Sequence, residues 1–369
     1  MKIAMIGVKS VPCPGGIATY AEQLGSRLVA RGHEVTVYCR RQYLNGDAGP
    51  PIPPYKAIHR RLCVGIRGKY TDAATHTLTS AMDALRSDFD IIHIHGSAPA
   101  FVAPMLRLKR HCGVVVTIHS LDWEGAKWGA AATATMRAFA QVPVRYADEL
   151  TVVSRRLQQY YAATFGREAT YIASGAPVAE IRPAEEITSR WGLRPQRYIL
   201  FVGRLTPEKG LEYLIDAYRR LQTEMPLVLV GGANYDDPYV EALLSQADDS
   251  ILFTGFQSGD TLEELFSNAY LYVQPSTLEG LSMAVVEALS YGRFVLASDI
   301  PGNVEALGEC GRTFRVADTD DLHDQLADLL AHPDTVRSQF EPARARVARE
   351  YDWEKTTDGF EAVFERVFH

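Results

Sequence analysis

The sequence predicts an α/β protein with two doubly wound domains, each built on a parallel sheet. Short apolar segments alternate with helical segments of about ten to fifteen residues, which is typical of repeated strand–helix–strand units. This alternation stops once, at residues 174–197, where Pro183 and Pro195 break regular structure, and then restarts. The length of 369 residues fits two domains of roughly 150 residues or more. We therefore expect domains at 1–180 and 181–352.

In the first half, continuous apolar runs predict strands and helical spacing predicts helices. Gly113–Ile118 is rich in β-branched residues and indicates a buried parallel strand. Apolar side chains recur with helical spacing from Ile17 to Leu28. Ser154 is placed to cap the helix that follows the strand at 149–153. The predicted strands lie at 3–6, 34–38, 57–64, 90–94, 113–118, 149–153 and 170–173, and the main helices at 17–31 and 71–86.

The second half repeats this pattern after the break. Strands are predicted at 198–202, 227–230, 251–253, 271–273 and 294–297. Helices are predicted at 208–222, 281–290, 319–330, 333–349 and 353–367. In parallel sheets of this kind, ligands bind beyond the carboxyl ends of the strands, so the loops that follow strands are where functional residues are expected.

Composition excludes several protein classes. Apolar residues make up 47% of the chain and charged residues 22%, which fits a globular protein and excludes a disordered chain or a coiled coil. No apolar run approaches the roughly 20 residues of a membrane span. The apolar run after Lys2 ends at Gly7 and is too short for a signal peptide. The five cysteines include no C-x-x-C pair, so we expect reduced thiols in a cytoplasmic protein.

The net charge of −7 is divided unevenly: residues 1–180 carry a balance of +8 and residues 181–369 a balance of −15. A basic half can meet an anionic membrane surface or a lipid-linked diphosphate. The alternative is that the two halves differ only in composition. The cluster that would make this contact contains Arg40, Arg41, Arg60, Arg61, Arg67 and Lys69.

Glycines follow the first strand. Gly15 and Gly16 stand where a helix begins, so a ligand can approach the backbone and an anion can meet the free N–H groups of the first turn. A plain strand-to-helix turn would look the same. The segment is not G-x-G-x-x-G, which disfavours a nicotinamide dehydrogenase.

The segment GRLTPEKG, residues 203–210, follows the first strand of the second half. Arg204 and Lys209 lie beside a helix that Pro207 would open, with Thr206 as its candidate N-cap. Two fixed cations at such a place suit a diphosphate, because Arg offers a fork and Lys a point charge. Two solvated charges remain the alternative.

Two carboxylates mark the segment PSTLEGLSMAVVEALSYG, residues 275–292. Glu279 lies in a glycine-containing loop, and Glu287 lies eight residues later on the predicted helix. Carboxylates suit sugar hydroxyls because they accept two hydrogen bonds at once. Glu279 could instead be only an acidic residue that the helix dipole favours at the helix N-terminus. A buried Glu287 on an apolar helix is harder to explain in that way.

Histidines end two strands of the first half, at His93 and His95 and at His119. Most strand-end histidines are structural. His119 precedes Asp122 and Trp123, a polar and aromatic cluster suited to a carbohydrate acceptor. Trp123 could stack on a sugar or only pack the domain.

With these motifs in this order, the sequence resembles the retaining glycosyltransferases of family 4 over nearly its whole length. The resemblance implies the GT-B fold, two Rossmann-like domains facing each other across a cleft, with helix 353–369 packing back on the first. The segment HSLDWEGAKWG, residues 119–129, resembles bacterial polysaccharide rhamnosyl- and mannosyltransferase-like members more narrowly. The sequence departs from the family at ASGAPV, residues 173–178, where many relatives carry an N-G-V turn.

The resemblance implies a role for each matching residue. Arg204 and Lys209 would bind the donor diphosphate, Glu279 the donor sugar and Glu287 the ribose. The implied catalytic residues are Glu279, His119, Arg204 and Lys209. The implied donor-binding residues are Gly15, Gly16, Arg204, Lys209, Gly232, Phe256, Glu279, Gly280, Leu281, Ser282 and Glu287. The candidate acceptor residues are Asp122, Trp123 and His95.

We therefore expect a retaining glycosyltransferase that moves a hexose from a nucleotide-diphosphate sugar, with UDP or GDP as nucleotide, to a saccharide or lipid-linked acceptor. The family is metal-independent, so neither a metal nor another cofactor is expected. The product would be a bacterial surface polysaccharide or glycolipid, made in the cytoplasm or peripherally at the inner face of the membrane. The alternatives are a GT-B nucleotide-sugar epimerase or hydrolase, and a non-catalytic nucleotide-sugar-binding subunit.

Overall fold

The structure is a computed structural model that describes residues 1–13, 15–44, 52–66, 68, 71–121, 123, 136–176, 179–232 and 238–368. The chain divides into two compact units. The first unit contains residues 1–175 together with 353–369, and the second contains residues 176–352.

The first unit is built on a parallel sheet. Among the described residues its strands are β1 (Lys2–Ile6), β2 (Glu34–Cys39), β3 (His59–Leu62), β4 (Ile91–His95), β5 (Gly113–Ile118), β6 (Glu149–Val152) and β7 (Thr170–Tyr171). Their order is β3-β2-β1-β4-β5-β6-β7, and every pairing is parallel. The order reverses between β1 and β4, and in sheets of this type such a reversal opens a crevice for a ligand.

The second unit repeats the arrangement with β8 (Ile199–Val202), β9 (Leu227–Val230), β10 (Ile251–Gly255), β11 (Leu271–Gln274), β12 (Phe294–Ser298) and β13 (Arg312–Phe314). The order is β10-β9-β8-β11-β12-β13, again all parallel. This is the Rossmann order, with its reversal between β8 and β11. The prediction of two doubly wound parallel-sheet domains is confirmed.

Helices connect the strands and are numbered here in chain order. The first unit has α1 (Gly16–Ala30), α2 (Thr71–Arg86), α3 (Ala103–Leu106), α4 (Gln141–Tyr146), α5 (Arg155–Phe165) and α15 (Trp353–Val367). The second has α6 (Glu186–Trp191), α7 (Leu211–Arg219), α8 (Pro238–Leu244), α9 (Gly259–Asn268), α10 (Met283–Ser290), α11 (Pro301–Leu307), α12 (Thr319–Ala331), α13 (Pro333–Arg337) and α14 (Phe340–Glu350). Short 3-10 turns occupy Arg41–Tyr43, Pro99–Val102 and Pro207–Lys209.

Local chemistry explains where the predicted helix ends were right and wrong. Ser154 caps α5 as predicted, since its Oγ accepts a hydrogen bond from the Leu157 N–H. Thr206 does not cap a helix: Pro207 opens a 3-10 turn instead, and the Thr206 hydroxyl is buried without a hydrogen-bond partner. The helix predicted at 208–222 therefore begins only at Leu211. The helix predicted at 333–349 is two helices, α13 and α14.

Helix α15 joins the first unit through charged side chains as well as apolar ones. The Arg31 guanidinium of α1 contacts the carboxylates of Glu354, Asp358 and Glu361 at 2.5–2.6 Å. The Arg27 guanidinium lies over the Trp353 ring, 5.4 Å from its centroid. One arginine thus forms ion pairs with three carboxylates of a helix that lies more than 300 residues later in the chain.

We expect Arg31→Ala to lower the free energy of unfolding of the first unit by about 1–2 kcal/mol, because a charge network contributes more than isolated exposed pairs. Urea unfolding followed by circular dichroism measures this. Arg220→Ala is the control, since it removes a single exposed contact, with Asp320 at 2.6 Å, and should change stability by less than about 0.5 kcal/mol. Equal effects of the two substitutions would contradict the prediction.

Candidate active site

The loops at the carboxyl ends of β8 and β11 are joined by main-chain hydrogen bonds. The Thr277 N–H donates to the Glu208 carbonyl at 2.9 Å, which links the two loops on either side of the order reversal. The Leu205 N–H donates to the Gly232 carbonyl at 3.2 Å, which links the β8 and β9 loops. The segments that the sequence singled out therefore form one edge of the second unit.

Glycines allow these loops to approach so closely. Gly210 has φ +64° and Gly231 has φ +145°, both in the region that favours glycine. A Cβ at Gly210 would clash with the Pro275 carbonyl, and one at Gly231 with the Gly203 carbonyl. Any larger residue at Gly210 or Gly231 would therefore force the contacting loops apart.

Lys209 and Glu279 form an ion pair at this edge. The Lys209 Nζ lies 2.5 Å from Glu279 Oε1, and each side chain is 14% exposed. The same oxygen accepts hydrogen bonds from Gln274 Nε2 at 3.0 Å and Ser276 Oγ at 2.8 Å. Three donors therefore hold one carboxylate oxygen. The other oxygen, Oε2, has no hydrogen-bond partner among the described residues.

Gln274 and Ser276 were missed by the sequence analysis. Gln274 is fully buried at the end of β11, and the hydroxyl of Tyr272 donates to its Oε1. That contact turns the Gln274 amide nitrogen toward Ser276 and Glu279. A polar residue ending a strand that is otherwise apolar was the available signal, because a buried amide requires partners.

Arg204 lies on the same loop as Lys209 but in a different setting. Its side chain is half exposed, and its guanidinium lies 3.5 Å from Glu208 Oε1. Such a long, exposed contact contributes little, so the fork of Arg204 can turn to a ligand at small cost. Both predicted diphosphate-binding cations thus have carboxylate neighbours, which the sequence analysis did not foresee.

Glu287 lies in the second turn of α10. It is half-buried rather than fully buried as expected, and its carboxylate has no hydrogen-bond partner among the described residues. Burial, together with the nearby charge of Glu263, raises the pKa of Glu287 to about 7. The side chain is therefore a carboxyl that changes its charge near neutral pH.

The start of α10 carries the next predicted group. Gly280, Leu281 and Ser282 are all buried in the turn that precedes Met283. The Ser282 Oγ is buried without a hydrogen-bond partner and does not cap the helix. A free hydroxyl beside free helix N–H groups suits a ligand oxygen.

Gly232 and Phe256 follow the two strands on the other side of the sheet. Gly232 is half-buried after β9, and a Cβ there would meet no atom within 4 Å. The Phe256 ring is 58% exposed after β10. An exposed ring at a strand end can stack on a nucleobase, which stays a prediction for Phe256.

In the first unit, α1 begins at Gly16, and both Gly15 and Gly16 are exposed. A Cβ at either glycine would meet no atom within 4 Å, so the space beside this helix start is open. His119 is half-buried directly after β5, where a ligand can reach it.

Two candidate acceptor residues need correction. His95 has no exposed surface, and Trp123 is only 4% exposed with its ring 6.0 Å from that of Tyr160. Direct contact with an acceptor is not open to either side chain in this structure. For Trp123, packing is the better of the two interpretations. Asp122 lies outside the described residues.

Neither a metal-binding cluster nor a membrane-spanning helix occurs among the residues that the structure describes. No group of three or more His, Cys, Asp and Glu residues there is arranged to hold a metal ion. None of the helices there combines the length and the apolar character that crossing a bilayer requires.

Comparison with known families decides the class. Residues 14–179 match the family described as Glycosyltransferase Family 4, and residues 184–346 match Glycosyl transferases group 1. The chain belongs to the glycosyltransferases. As a glycosyltransferase it is 27% identical, over 100% of its length and 94% of the relative, to a phosphatidyl-myo-inositol mannosyltransferase of Mycolicibacterium smegmatis.

A second relative from M. smegmatis is a GDP-mannose-dependent alpha-(1-6)-phosphatidylinositol monomannoside mannosyltransferase, which is 27% identical over 87% of each chain. Solved structures of similar fold include a sucrose-phosphate synthase from Thermosynechococcus elongatus, with a TM-score of 0.86, 22% identity and coverage of 100% and 99%. HepE from Anabaena in complex with UDP-glucose has a TM-score of 0.80, 17% identity and coverage of 99% and 100%. These likenesses confirm that the glycosyltransferase has the GT-B fold.

Proposed function

We propose that this glycosyltransferase moves a hexose from a nucleotide-diphosphate sugar to a lipid-linked acceptor, with retention of configuration and without a metal ion. The observation that carries the proposal is the Lys209–Glu279 pair at the carboxyl edge of the second sheet. It sets a cation beside a carboxylate whose second oxygen is open to a ligand.

The charges at this edge suit the chemistry of a glycosyl diphosphate. As the bond from the sugar carbon to the diphosphate breaks, negative charge develops on the leaving diphosphate. An ammonium has three donors, so Lys209 can bond to a phosphate oxygen while it keeps its contact with Glu279. Arg204 adds a fork from the same loop. Oε2 of Glu279 would accept hydrogen bonds from sugar hydroxyls, and Glu287 those from the ribose.

Retention is proposed from the family resemblance. The acceptor oxygen would attack the same face that the diphosphate leaves, forming the new glycosidic bond as the old one breaks. The acceptor hydroxyl proton would pass to the departing diphosphate oxygen, so no protein base is needed. From the same resemblance, we propose that His119, beside β5, contacts substrate.

The names of the relatives suggest the first donors to test. One relative is GDP-mannose-dependent, and a structural neighbour holds UDP-glucose. We therefore propose GDP-mannose as the first donor and UDP-glucose as the second. The phosphatidylinositol acceptors named for the mycobacterial relatives make an inositol phospholipid the first acceptor to test.

The deciding experiment incubates the purified protein with each donor, with and without acceptor, in the presence of EDTA. Transfer that needs acceptor and resists EDTA supports the proposal, and the anomeric coupling of the product in NMR tests retention. Consumption of donor without acceptor indicates a hydrolase or epimerase. A thermal shift with donor but no turnover in any arm indicates a binding subunit, and an inverted product contradicts retention.

Membrane contact is the second part of the proposal, and the apolar side chains that favour it were not predicted. Val64 and Ile66 are 76% and 63% exposed, and Leu78 and Met82 are 42% and 40% exposed one turn apart on α2. The Val64 carbonyl accepts a hydrogen bond from Thr79 Oγ1 at 2.7 Å, which holds this loop against α2. We call these four side chains the apolar patch.

The side chains of the basic cluster are less available to bind an anionic membrane than the sequence suggested. Arg40 is paired with Asp72 at 3.1 Å and both are nearly buried, and Arg61 is paired with Asp83 at 2.6 Å. Arg67 and Lys69 lie outside the described residues. We therefore propose that the apolar patch inserts into the interface of an anionic membrane and that the remaining basic charge assists.

We expect the double substitution Val64→Ser and Ile66→Ser to reduce binding to anionic liposomes about thirtyfold, because each removes apolar surface worth about 1 kcal/mol in a membrane interface. Flotation of the protein with vesicles measures this. Leu108→Ser is the control, since Leu108 is 78% exposed but lies outside the apolar patch. Equal binding of the wild type to neutral and anionic vesicles, or no loss in the double variant, would reject this part of the proposal.

A further inference from the structure

Three histidines meet at the carboxyl ends of β4 and β5 in the first unit. His93 and His95 are fully buried, with ring centroids 4.1 Å apart. The His95 Nδ1 lies 3.2 Å from the His119 Nε2. Tyr20 of α1 packs edge-on against His119, with the centroids 4.8 Å apart. This contact holds the plane of the half-buried ring.

All three imidazoles are neutral at pH 7. Burial lowers the pKa of His119 to about 4 and that of His93 to about 3, and it lowers the pKa of His95 well below the ordinary value. A neutral imidazole carries one N–H and one bare nitrogen. The hydrogen-bond partners of each ring therefore decide which nitrogen holds the proton.

His93 illustrates the rule. Its Nε2 lies 2.6 Å from Thr117 Oγ1, whereas its Nδ1 is buried without a hydrogen-bond partner. An N–H buried without an acceptor is rare because it costs more than an unused lone pair. The proton therefore sits on Nε2 and is donated to Thr117. The Thr117 hydroxyl can pass its own proton to Thr151, at 2.7 Å, which in turn reaches the Val116 carbonyl.

The same rule fixes the proton of His95. Its Nε2 is buried without a hydrogen-bond partner, and only its Nδ1 has a neighbour, the His119 Nε2. The proton of His95 therefore sits on Nδ1 and points at His119. The Nε2 of His119 must then be the acceptor, so the single proton of His119 sits on its Nδ1.

We propose that His95 is a positioning residue that sets the tautomer of His119, so that His119 presents an Nδ1–H donor to a substrate oxygen. The bare nitrogen of His119 is already occupied by His95, which leaves no lone pair for a general base. This inference deepens the proposed function and rests on it only for the identity of the substrate oxygen. His95 was predicted to contact the acceptor, and in this proposal it acts through His119 instead.

The first test is the tautomer of His119 in the wild-type protein. Long-range proton–nitrogen NMR of protein labelled with ¹⁵N-histidine separates a protonated ring nitrogen from a bare one, and a His119→Gln variant identifies the His119 signals. At pH 7.5 we expect a protonated Nδ1 and a bare Nε2 on His119. The opposite pattern, or a charged ring, would overturn the proposal whether or not any variant folds.

Two substitutions of His95 then separate its roles. His95→Asp places an acceptor beside His119, so we expect the proton of His119 to move to Nε2. His95→Phe keeps an aromatic ring but removes the donor, and we expect kcat/KM to fall about tenfold, as for the loss of one hydrogen bond. His93→Phe is the matched control: it is equally buried on the same strand but donates to Thr117, so the His119 tautomer should not change.

A purely packing role predicts a different result. In that case His93→Phe and His95→Phe would reduce kcat/KM equally, and His95→Asp would leave the His119 tautomer unchanged. Either result would overturn the proposal. The NMR measurement needs no substrate, so a protein without transferase activity but with the expected His119 tautomer would reject the proposed function and leave the role of His95 intact.

Discussion

Replacing Lys209 with methionine is expected to lower kcat/KM by about 10²–10³, the range measured when one charge-stabilising donor is removed from an active site. Methionine keeps the length of the side chain and removes the charge. The ammonium that would face the leaving diphosphate is lost, and Glu279, 14% exposed, loses its ion-pair partner. Initial rates with whichever of GDP-mannose and UDP-glucose supports transfer measure the effect. Arg220→Met, which removes an exposed cation of the same unit, should leave the rate within twofold.

A loss of rate in Lys209→Met could also come from a disturbed Glu279, and a double variant separates the causes. Glu279→Gln removes the unpaired charge, so adding it to Lys209→Met should recover most of any lost thermal stability. The double variant should stay slower than Glu279→Gln alone, because the donor to the diphosphate is still missing. A double variant as fast as Glu279→Gln alone, or a rate within threefold of wild type in Lys209→Met, would show that Lys209 only neutralises Glu279.

The sequence predicted regular structure best where the signal is local. Gly113–Ile118, Leu227–Val230 and the helix at 71–86 have the predicted bounds, because continuous β-branched runs and amphipathic spacing are properties of the segment itself. Prediction failed where turn chemistry competes, as at Pro207, where a 3-10 turn delays the helix to Leu211. Proline fixes where a turn begins but not which kind of helix follows it.

The candidate site was predicted residue by residue but not contact by contact. The sequence indicated Lys209 and Glu279 separately. No local sequence pattern shows that these two side chains, 70 positions apart, form an ion pair. The sequence marks Gln274 as a polar residue at a strand end, but only the structure shows that Gln274 and Ser276 donate to Glu279. For His95, the residue type suggested contact with a ligand. In the structure the side chain is buried and contacts His119 instead. Tertiary contacts decide such roles, and one sequence does not contain them explicitly.

Glu287 is expected to make donor binding depend on pH. Only the ionised carboxylate can accept hydrogen bonds from ribose hydroxyls on both of its oxygens without donating one. Burial together with the charge of Glu263 raises the pKa of Glu287 to about 7. The affinity for a nucleotide sugar should therefore rise about tenfold between pH 6 and pH 8, as the ionised fraction does. Isothermal titration of the wild type with GDP-mannose or UDP-glucose measures this, since the diphosphate of a nucleotide sugar does not titrate in that range.

Two substitutions test whether Glu287 is the titrating group. Glu287→Gln should bind the donor about 10–100-fold more weakly at pH 8, as for lost hydrogen bonds to a charged acceptor, and should show no dependence on pH. Glu263→Gln should move the midpoint of the wild-type profile to lower pH, because it removes a repelling charge. His93 and His119 cannot produce the same profile, because burial lowers the pKa of His93 to about 3 and that of His119 to about 4.

The unliganded protein gives an independent check on the sign. The pKa of Glu287 is raised from its ordinary 4.5 in the folded state, so between pH 4.5 and about 7 the folded state binds more protons than the unfolded state. Stability from this group is therefore present below pH 4.5 and is lost as the pH rises through about 7. Glu287→Gln should remove that part of the pH dependence. If it does so while donor affinity stays flat in the wild type, Glu287 titrates as expected but does not contact the donor.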